Sequence, residues 1–440
     1  RSLSEGRGKE FYLPGVLRDD GSVPRSGSEP SRSCSPPALK PPKQPAVPRL
    51  RPLPPGRDPA YFNPSPYSTW ANNAITISFV RGVEDLCDPF RQAHPLFTHQ
   101  VFGPQEEIVG YNQPSVHIIY SANTLRPTIA FKHMGVVEDA QLSAAKVLAA
   151  TPVDYVVRQR LPCDYAATVQ DVLKEASNAR FVPLGREFGS YEAPSCGPGF
   201  KPGAEGTAEA KQSRFKLYRA ELKDRKSTRF VKRLETLCVW NIERASYIKP
   251  DGNWELITLY EAYKRDGKEM YQLVGFVTTY RDYTGKKIYS QEAKAEVPTY
   301  KLRLSQYVIL PIFQRCGHGG KMLTHIYEMA RKTEDIVEVT VEEPHSNMFV
   351  EMRDRTDSQI VLEMDLLDSL TEESPPYEAL RRQLKWSRSQ LRRLAQSVIK
   401  KVVREPSPGG PLCTVGGVEY FAEDFVLVRG VGEQPYIAHV

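Results

Sequence analysis

Apolar and polar positions alternate along NAITISFV (73–80), SVHIIYSA (115–122) and PTIAFKH (127–133), the period of half-buried strands. EDAQLSAAKVLA (138–149) and YAATVQDVLKEA (165–176) carry helical spacing, so a first α/β unit runs from about 70 to 185. GSYEAPSCGPGFKPGAEGTAEAKQ (189–212) reads as a loop. FKLYRAEL (215–222) reads as a strand, and STRFVKRLETLCVWNIERAS (227–246) as a long helix with Phe230, Leu234, Leu237 and Trp240 on its apolar face. WELITLYEAYKRDG and KEMYQLVGFVTTYRDY predict two antiparallel strands around a turn at Arg265 to Gly267. RLSQYVILPIF (303–313) predicts a strand. GHGGKMLTHIYEMARK (317–332) predicts a helix with Met322, Leu323, Ile326, Tyr327 and Ala330 inward, and IVEVTVEEP (336–344) a strand stopped by proline.

These patterns divide the chain into a proline-rich disordered tail (1–68), an α/β domain (69–200), a second α/β domain (201–352), a helical region (353–405) and a partial β module (410–440). The first 60 residues hold 13 prolines, with 11 basic side chains against six acidic ones. That composition buries too little apolar surface to fold. The whole chain of 440 residues has a formal charge of only +6, which does not diagnose nucleic-acid binding. Its seven cysteines form no CxxC or metal spacing, so a reducing compartment is the simplest reading and no metal is expected. No run of 18 apolar residues predicts a membrane span, and no signal-peptide pattern is present. The first residue, Arg1, reads as a truncated or processed start.

The candidate chemistry centres on QRCGHGG (314–320), between a strand and a helix. Successive backbone N–H groups and a helix N-terminus there could cradle a diphosphate, or the glycines could form a plain turn. A P-loop needs a Ser or Thr after its lysine, and Lys321 is followed by Met322. A dinucleotide fingerprint needs a third glycine where GHGGKM places Met322. Both nucleotide readings are therefore disfavoured.

The pattern Q-x-x-G-x-G after an apolar strand resembles the acetyl-CoA loop of the GCN5-related N-acetyltransferases. RLSQYVILPIFQRCGHGGKMLTHIYE followed by EVTVEEPHSNMFVEMRD is similar, more narrowly, to the type B histone acetyltransferase catalytic subunits. FKLYRAE, LETLCVWNIERASYI, VGFVTTYRDY, ANNAITISFV and HPLFTHQVFGPQEEIVGY extend that resemblance over about 70–400. It implies the acetyltransferase fold, a mixed, mostly antiparallel sheet with flanking helices, preceded by an α/β histone-recognition domain. The tail GGVEYFAEDFVLVR…EQPYIAHV resembles the first strands of a bromo-adjacent homology domain.

The resemblance implies acetyl transfer from acetyl-CoA to lysines of the free histone H4 tail. Such a reaction needs a placed thioester, a deprotonated lysine and a stabilised oxyanion. Glu342 would be the general base, with Glu343 assisting or holding the lysine; the bland reading of the pair is a charged strand edge. Coenzyme contacts would come from Tyr307, Val308, Ile309 and Leu310, from Gln314, and from the amides of Arg315, Cys316, Gly317, His318, Gly319 and Gly320. Downstream, PHSNMF is one residue longer than the family's P-S-x-x-F/Y, and Ser346 or Asn347 would touch the coenzyme. Cys316 lacks a neighbouring base and His318 reads as helix-entry filler, so neither is assigned catalysis by its side chain. Glu106 and Glu107 would receive the basic tail, or form a solvated turn. Trp240, Tyr260, Tyr280 and Tyr283 would line the lysine channel, with Trp240 equally placed for the core. The implied partners are histone H4, with H3, and a WD40-repeat histone chaperone, in nucleus and cytoplasm; DNA binding stays open and no membrane is involved. A transferase of another protein or small amine, and a catalytically weak chromatin scaffold, remain the alternatives.

Overall fold

The computed structural model describes residues 68–138, 150–195, 212–344, 347–364, 366 and 375–401, with four short strands between 413 and 439. The expected tail at 1–68 lies outside these residues but for Ser68, as do all but the first residue of the helix read at 138–149 and most of the loop at 189–212. The described residues all fall within one compact unit, Pro64–Val440.

The alternating N-terminal segments become β1 (Ile75–Val80), β3 (Ser115–Ser121) and β4 (Pro127–Lys132), joined by the short β2 (Gln92–Ala93). They form a four-stranded sheet in the order β2-β1-β3-β4, with β1 and β3 parallel. Helices α1 (Val153–Arg160) and α2 (Val169–Ala176) follow. Thr168 and Asp171 close a capping box that starts α2 and satisfies two otherwise orphaned N–H groups.

The main sheet has six strands: β5 (Arg186–Pro194), β6 (Gln212–Glu221), β7 (Trp254–Arg265), β8 (Lys268–Ser290), β9 (Ala295–Ile309) and β10 (Ile336–Val341). Their spatial order is β10-β9-β8-β7-β6-β5. Every pairing is antiparallel except β9 with β10, which is parallel. Strand β5 corrects the sequence reading, which left 189–194 in a loop; the strand pairs with β6 across a long connection that local pattern does not reveal. The turn expected near Arg265 is a two-residue hairpin in which Asp266 and Gly267 have φ of 51° and 74°. Two successive left-handed residues match the twist of the flanking strands. Beyond the hairpin, β8 and β9 extend as one long arm, well past the segments that alternation alone marked.

Helix α3 (Arg225–Asn241) starts where Asp224 accepts the N–H groups of Lys226 and Ser227 at 2.7 and 2.8 Å. Phe230, Val231, Leu234, Leu237 and Trp240 are buried on it, each contributing about 1.5–3 kcal/mol of apolar burial. Helix α4 (His318–Lys332) follows the glycine segment, and α5 (Asn347–Glu363), α6 (Pro375–Leu384) and α7 (Arg388–Lys401) complete the helical layer. Of the C-terminal strands, Cys413–Val415 pairs with Val418–Tyr420 and Phe425–Val428 with Tyr436–His439, both antiparallel.

Candidate active site

The β9–β8 ladder shifts register between Val277/Tyr307 and Thr279/Leu304, so Ser305 and Gln306 together oppose Thr278. This is a bulge, and it changes which face each later side chain occupies. Leu304 and Tyr307 both turn toward α4, where the Tyr307 hydroxyl donates to the Gly319 carbonyl at 2.8 Å. Gln306 turns to the opposite face and donates to the Ser246 carbonyl, beyond the end of α3, at 2.8 Å.

Strand β9 parts from β10 at the same point. Their last rung is Leu304 opposite Val341, and the Glu342 N–H reaches the Leu304 carbonyl at 2.8 Å. Farther along, the Leu310 N–H bonds Val274 on the β8 side. Strand alternation then directs the main-chain groups of Tyr307 and Ile309 away from β8, into the gap. Gln314 closes the far end by donating to the Ile309 carbonyl at 2.9 Å. Gly275 on β8 lets β9 pass close: a Cβ there would stand 2.7 Å from the Val308 carbonyl oxygen.

The glycine segment stands beyond the gap. Gly317 precedes α4 with φ 82°, a left-handed conformation that suits glycine, and no side chain caps the helix. The positive end of the helix dipole at this entrance favours an anion. Arg315 is exposed, also at positive φ, while Cys316 bonds only the Gln314 carbonyl, at 3.5 Å. The His318 side chain points the other way. It is 2% exposed, packs 4.4 Å from the Phe215 ring centre and shares a hydrogen bond with the Tyr191 hydroxyl at 2.8 Å. Burial pushes its imidazole down to about 4, so it is neutral. Its side chain belongs to the core and only its main chain faces the helix entrance.

Glu342 and Glu343 follow the last residue of β10, and both are exposed at the rim where the strands part. Arg303, opposite Tyr280 and Thr340, places its Nε 4.0 Å from Glu342 Oε2 and 3.4 Å from Asp282 Oδ2. Its guanidinium lies 5.1 Å from the Tyr280 ring centre, and the Tyr280 hydroxyl donates to Asp251 at 2.9 Å. Arg303, Asp282 and Asp251 did not figure in the sequence reading; the polar positions of RLSQ inside an apolar strand were the available signal.

Four expected substrate contacts are placed elsewhere. Trp240 is fully buried on α3, as is Tyr260 on β7, so neither lines a channel. Glu106 sits at φ 57° with its carboxylate turned inward, accepting from Thr98 at 2.6 Å, and it is 5% exposed. Tyr283 is exposed, but alternation sets it on the face opposite Tyr280, with its ring 6.1 Å from that of Tyr300. Glu107 remains half-buried on a short strand against Trp70. Ser346 lies outside the described residues, and Asn347 opens α5. Among the described residues no cluster of His, Cys, Asp and Glu gathers as a metal site.

A mixed sheet that bulges and splays over an uncapped glycine-led helix is similar to the acetyltransferase fold that the sequence resemblance implies. Residues 67–243 match the family described as "Histone acetyl transferase HAT1 N-terminus". The chain is 28% identical over 290 residues to the histone acetyltransferase type B catalytic subunit of Rattus norvegicus, covering 66% of this chain and 63% of that protein. Against the subunit of the same name from Homo sapiens it is 27% identical over 292 residues, with the same coverage of 66% and 63%. These matches bear out the resemblance read from the sequence, and the chain spans just under two thirds of the length of these curated relatives. Among solved structures, Arabidopsis thaliana NAA60 in complex with acetyl-CoA aligns at 13% identity and a TM-score of 0.24, over 32% of this chain and 85% of that one.

Proposed function

We propose that the chain is an acetyl-CoA-dependent histone lysine N-acetyltransferase acting on the tail of free histone H4. The parting of β9 from β10 at Leu304 and Glu342 carries this reading. It aims the main chain of Tyr307 and Ile309 at a ligand with amide groups and ends at helix N–H groups suited to a diphosphate. Coenzyme A joins those two chemistries in one extended molecule.

Glu342 stands at the rim and takes a proton from the incoming lysine ammonium, whose ordinary pKa is about 10.4. The neutral amine attacks the thioester carbonyl, the C–N bond forms, and the C–S bond breaks as the thiolate leaves and gains a proton. A main-chain N–H directed into the gap stabilises the oxyanion. The name of the relatives supports a histone as acceptor. H4 as the histone, delivery with H3 and a WD40-repeat chaperone, and a nuclear and cytoplasmic location extend the same proposal.

The test is acetyl transfer to free H4 and to nucleosomes. Glu342→Gln is expected to lower kcat about 100-fold or more while acetyl-CoA binding is retained. Unchanged turnover would remove Glu342 from the reaction. Transfer to polyamines but not to H4 would replace the histone reading with a small-amine one. Coenzyme binding without any transfer by the wild type would leave a scaffold.

A further inference from the structure

Arg303 is built into the site in a way that fold stability does not explain. Its side chain is 33% exposed, Asp282 is 38% exposed and Glu342 44% exposed, so solvent screens both pairs and they add little to stability. Yet Arg303 Nε is itself buried with no aligned hydrogen-bond acceptor. The cation rests instead on the Tyr280 ring, which is fixed from behind by Trp254 at 5.0 Å and by the bond to Asp251. One guanidinium is thus shared by two carboxylates and satisfied fully by neither. Asp282 is the nearer, Glu342 the farther, and all three side chains stand on one face of the sheet.

We propose that Arg303 is a positioning residue for this site: it holds the Glu342 carboxylate in place in the free protein and passes to Asp282 when a substrate ammonium takes Glu342. The inference rests on the reading of Glu342 as the base. A lysine ammonium brings the same charge to the same carboxylate. Its arrival displaces Arg303 by like-charge repulsion, and Asp282 receives the guanidinium with little movement. The Tyr280 ring guides that movement, since a cation keeps its favourable contact as it slides across a π face.

The experiment measures kcat and KM for an H4 tail peptide at saturating acetyl-CoA, with acetyl-CoA affinity and thermal midpoint determined for each variant. Arg303→Met is expected to lower kcat/KM for the peptide about tenfold, because that ratio is set from the free protein, where the Glu342 carboxylate loses its support. Arg303→Lys is expected to recover most of that loss. Asp282→Asn is expected to raise peptide KM several-fold, because Arg303 then has nowhere to go and competes with the substrate. In a Glu342→Gln background, Arg303→Met is expected to cost nothing further. An additive loss in that double variant, or a loss matched by a lowered thermal midpoint and not recovered by lysine, would overturn the proposal while leaving the base in place. A silent Glu342→Gln would overturn the base and this proposal together.

Discussion

His318 sits in the middle of the segment that defines the site, yet its imidazole is part of the core. Burial holds it at about 4, below its ordinary 6.5, so protonating it costs the folded state. The unfolded chain binds that proton first as pH falls. The contribution is therefore complete above about pH 6.5 and is lost as pH drops toward 4, amounting to about 2 kcal/mol by pH 5. His318→Gln, which keeps a polar partner for Tyr191, is expected to flatten the slope of unfolding free energy against pH across that window. Urea midpoints taken at half-unit steps check it. The sequence supported the main-chain role of this residue because glycine spacing is a local signal. It could not reveal the direction of the side chain, which Tyr191 and Phe215 settle from distant strands. Glu106 shows the same limit. It reads as an exposed acid on a turn, but a left-handed residue at that position rotates the carboxylate onto Thr98.

The elements that carry the site were legible where one period dominates. Strands β1, β3, β4, β7 and β10 and helices α3 and α4 alternate or repeat cleanly, so each emerged close to its observed bounds. Strand β5 did not, because Arg186–Pro194 is a half-exposed edge with no apolar alternation to report its partner. The bulge in β9 was also hidden: a register shift depends on the strand opposite and leaves no mark in one chain segment. Gly275 offers a direct test at this scale. A methyl group there would meet the Ile309 Cδ1 at 2.5 Å and the Val308 carbonyl oxygen at 2.7 Å, and the second of these belongs to main chain that cannot rotate away. Gly275→Ala is expected to destabilise by about 1–3 kcal/mol and to raise KM for acetyl-CoA more than for the peptide. Denaturant titration and steady-state kinetics separate the two effects.

Across the whole molecule, the N-terminal sheet and the six-stranded sheet are tied by buried polar contacts. Arg91 Nη2 donates to Gln272 at 2.7 Å, and Gln272 donates in turn to Glu261 at 2.5 Å. Arg91 Nε reaches the Phe79 carbonyl at 3.1 Å, and its guanidinium lies 5.9 Å from the Phe313 ring centre, at the entry to the glycine segment. Burial pulls this guanidinium down to about 10, which leaves it charged at neutral pH. Arg91→Met is expected to cost about 1–3 kcal/mol, since it leaves the buried Gln272 side-chain oxygen without the donor it has here, while Asp85 keeps Arg81. Calorimetry should record a lower midpoint, and acetyl-CoA binding should weaken as Phe313 loses its neighbour. No pattern in the sequence joins residue 91 to residue 272, so the seam between the sheets was invisible before the fold was known.

The parting of β9 from β10 has a consequence for the protein before it meets any ligand. A sheet that opens partway along creates an internal edge, and Tyr307 and Ile309 lie along it past the last rung with β10, the Ile309 carbonyl being held by the Gln314 side chain. Edges of this kind invite any extended chain to add itself as a strand. Here the opening is narrowed by α4 on one side and by Gln314 at its end, so a globular neighbour cannot dock edge-on. A thin, flexible molecule with amide groups can. On the proposed function, the geometry that would take up a coenzyme also keeps the strand from becoming a template for aggregation.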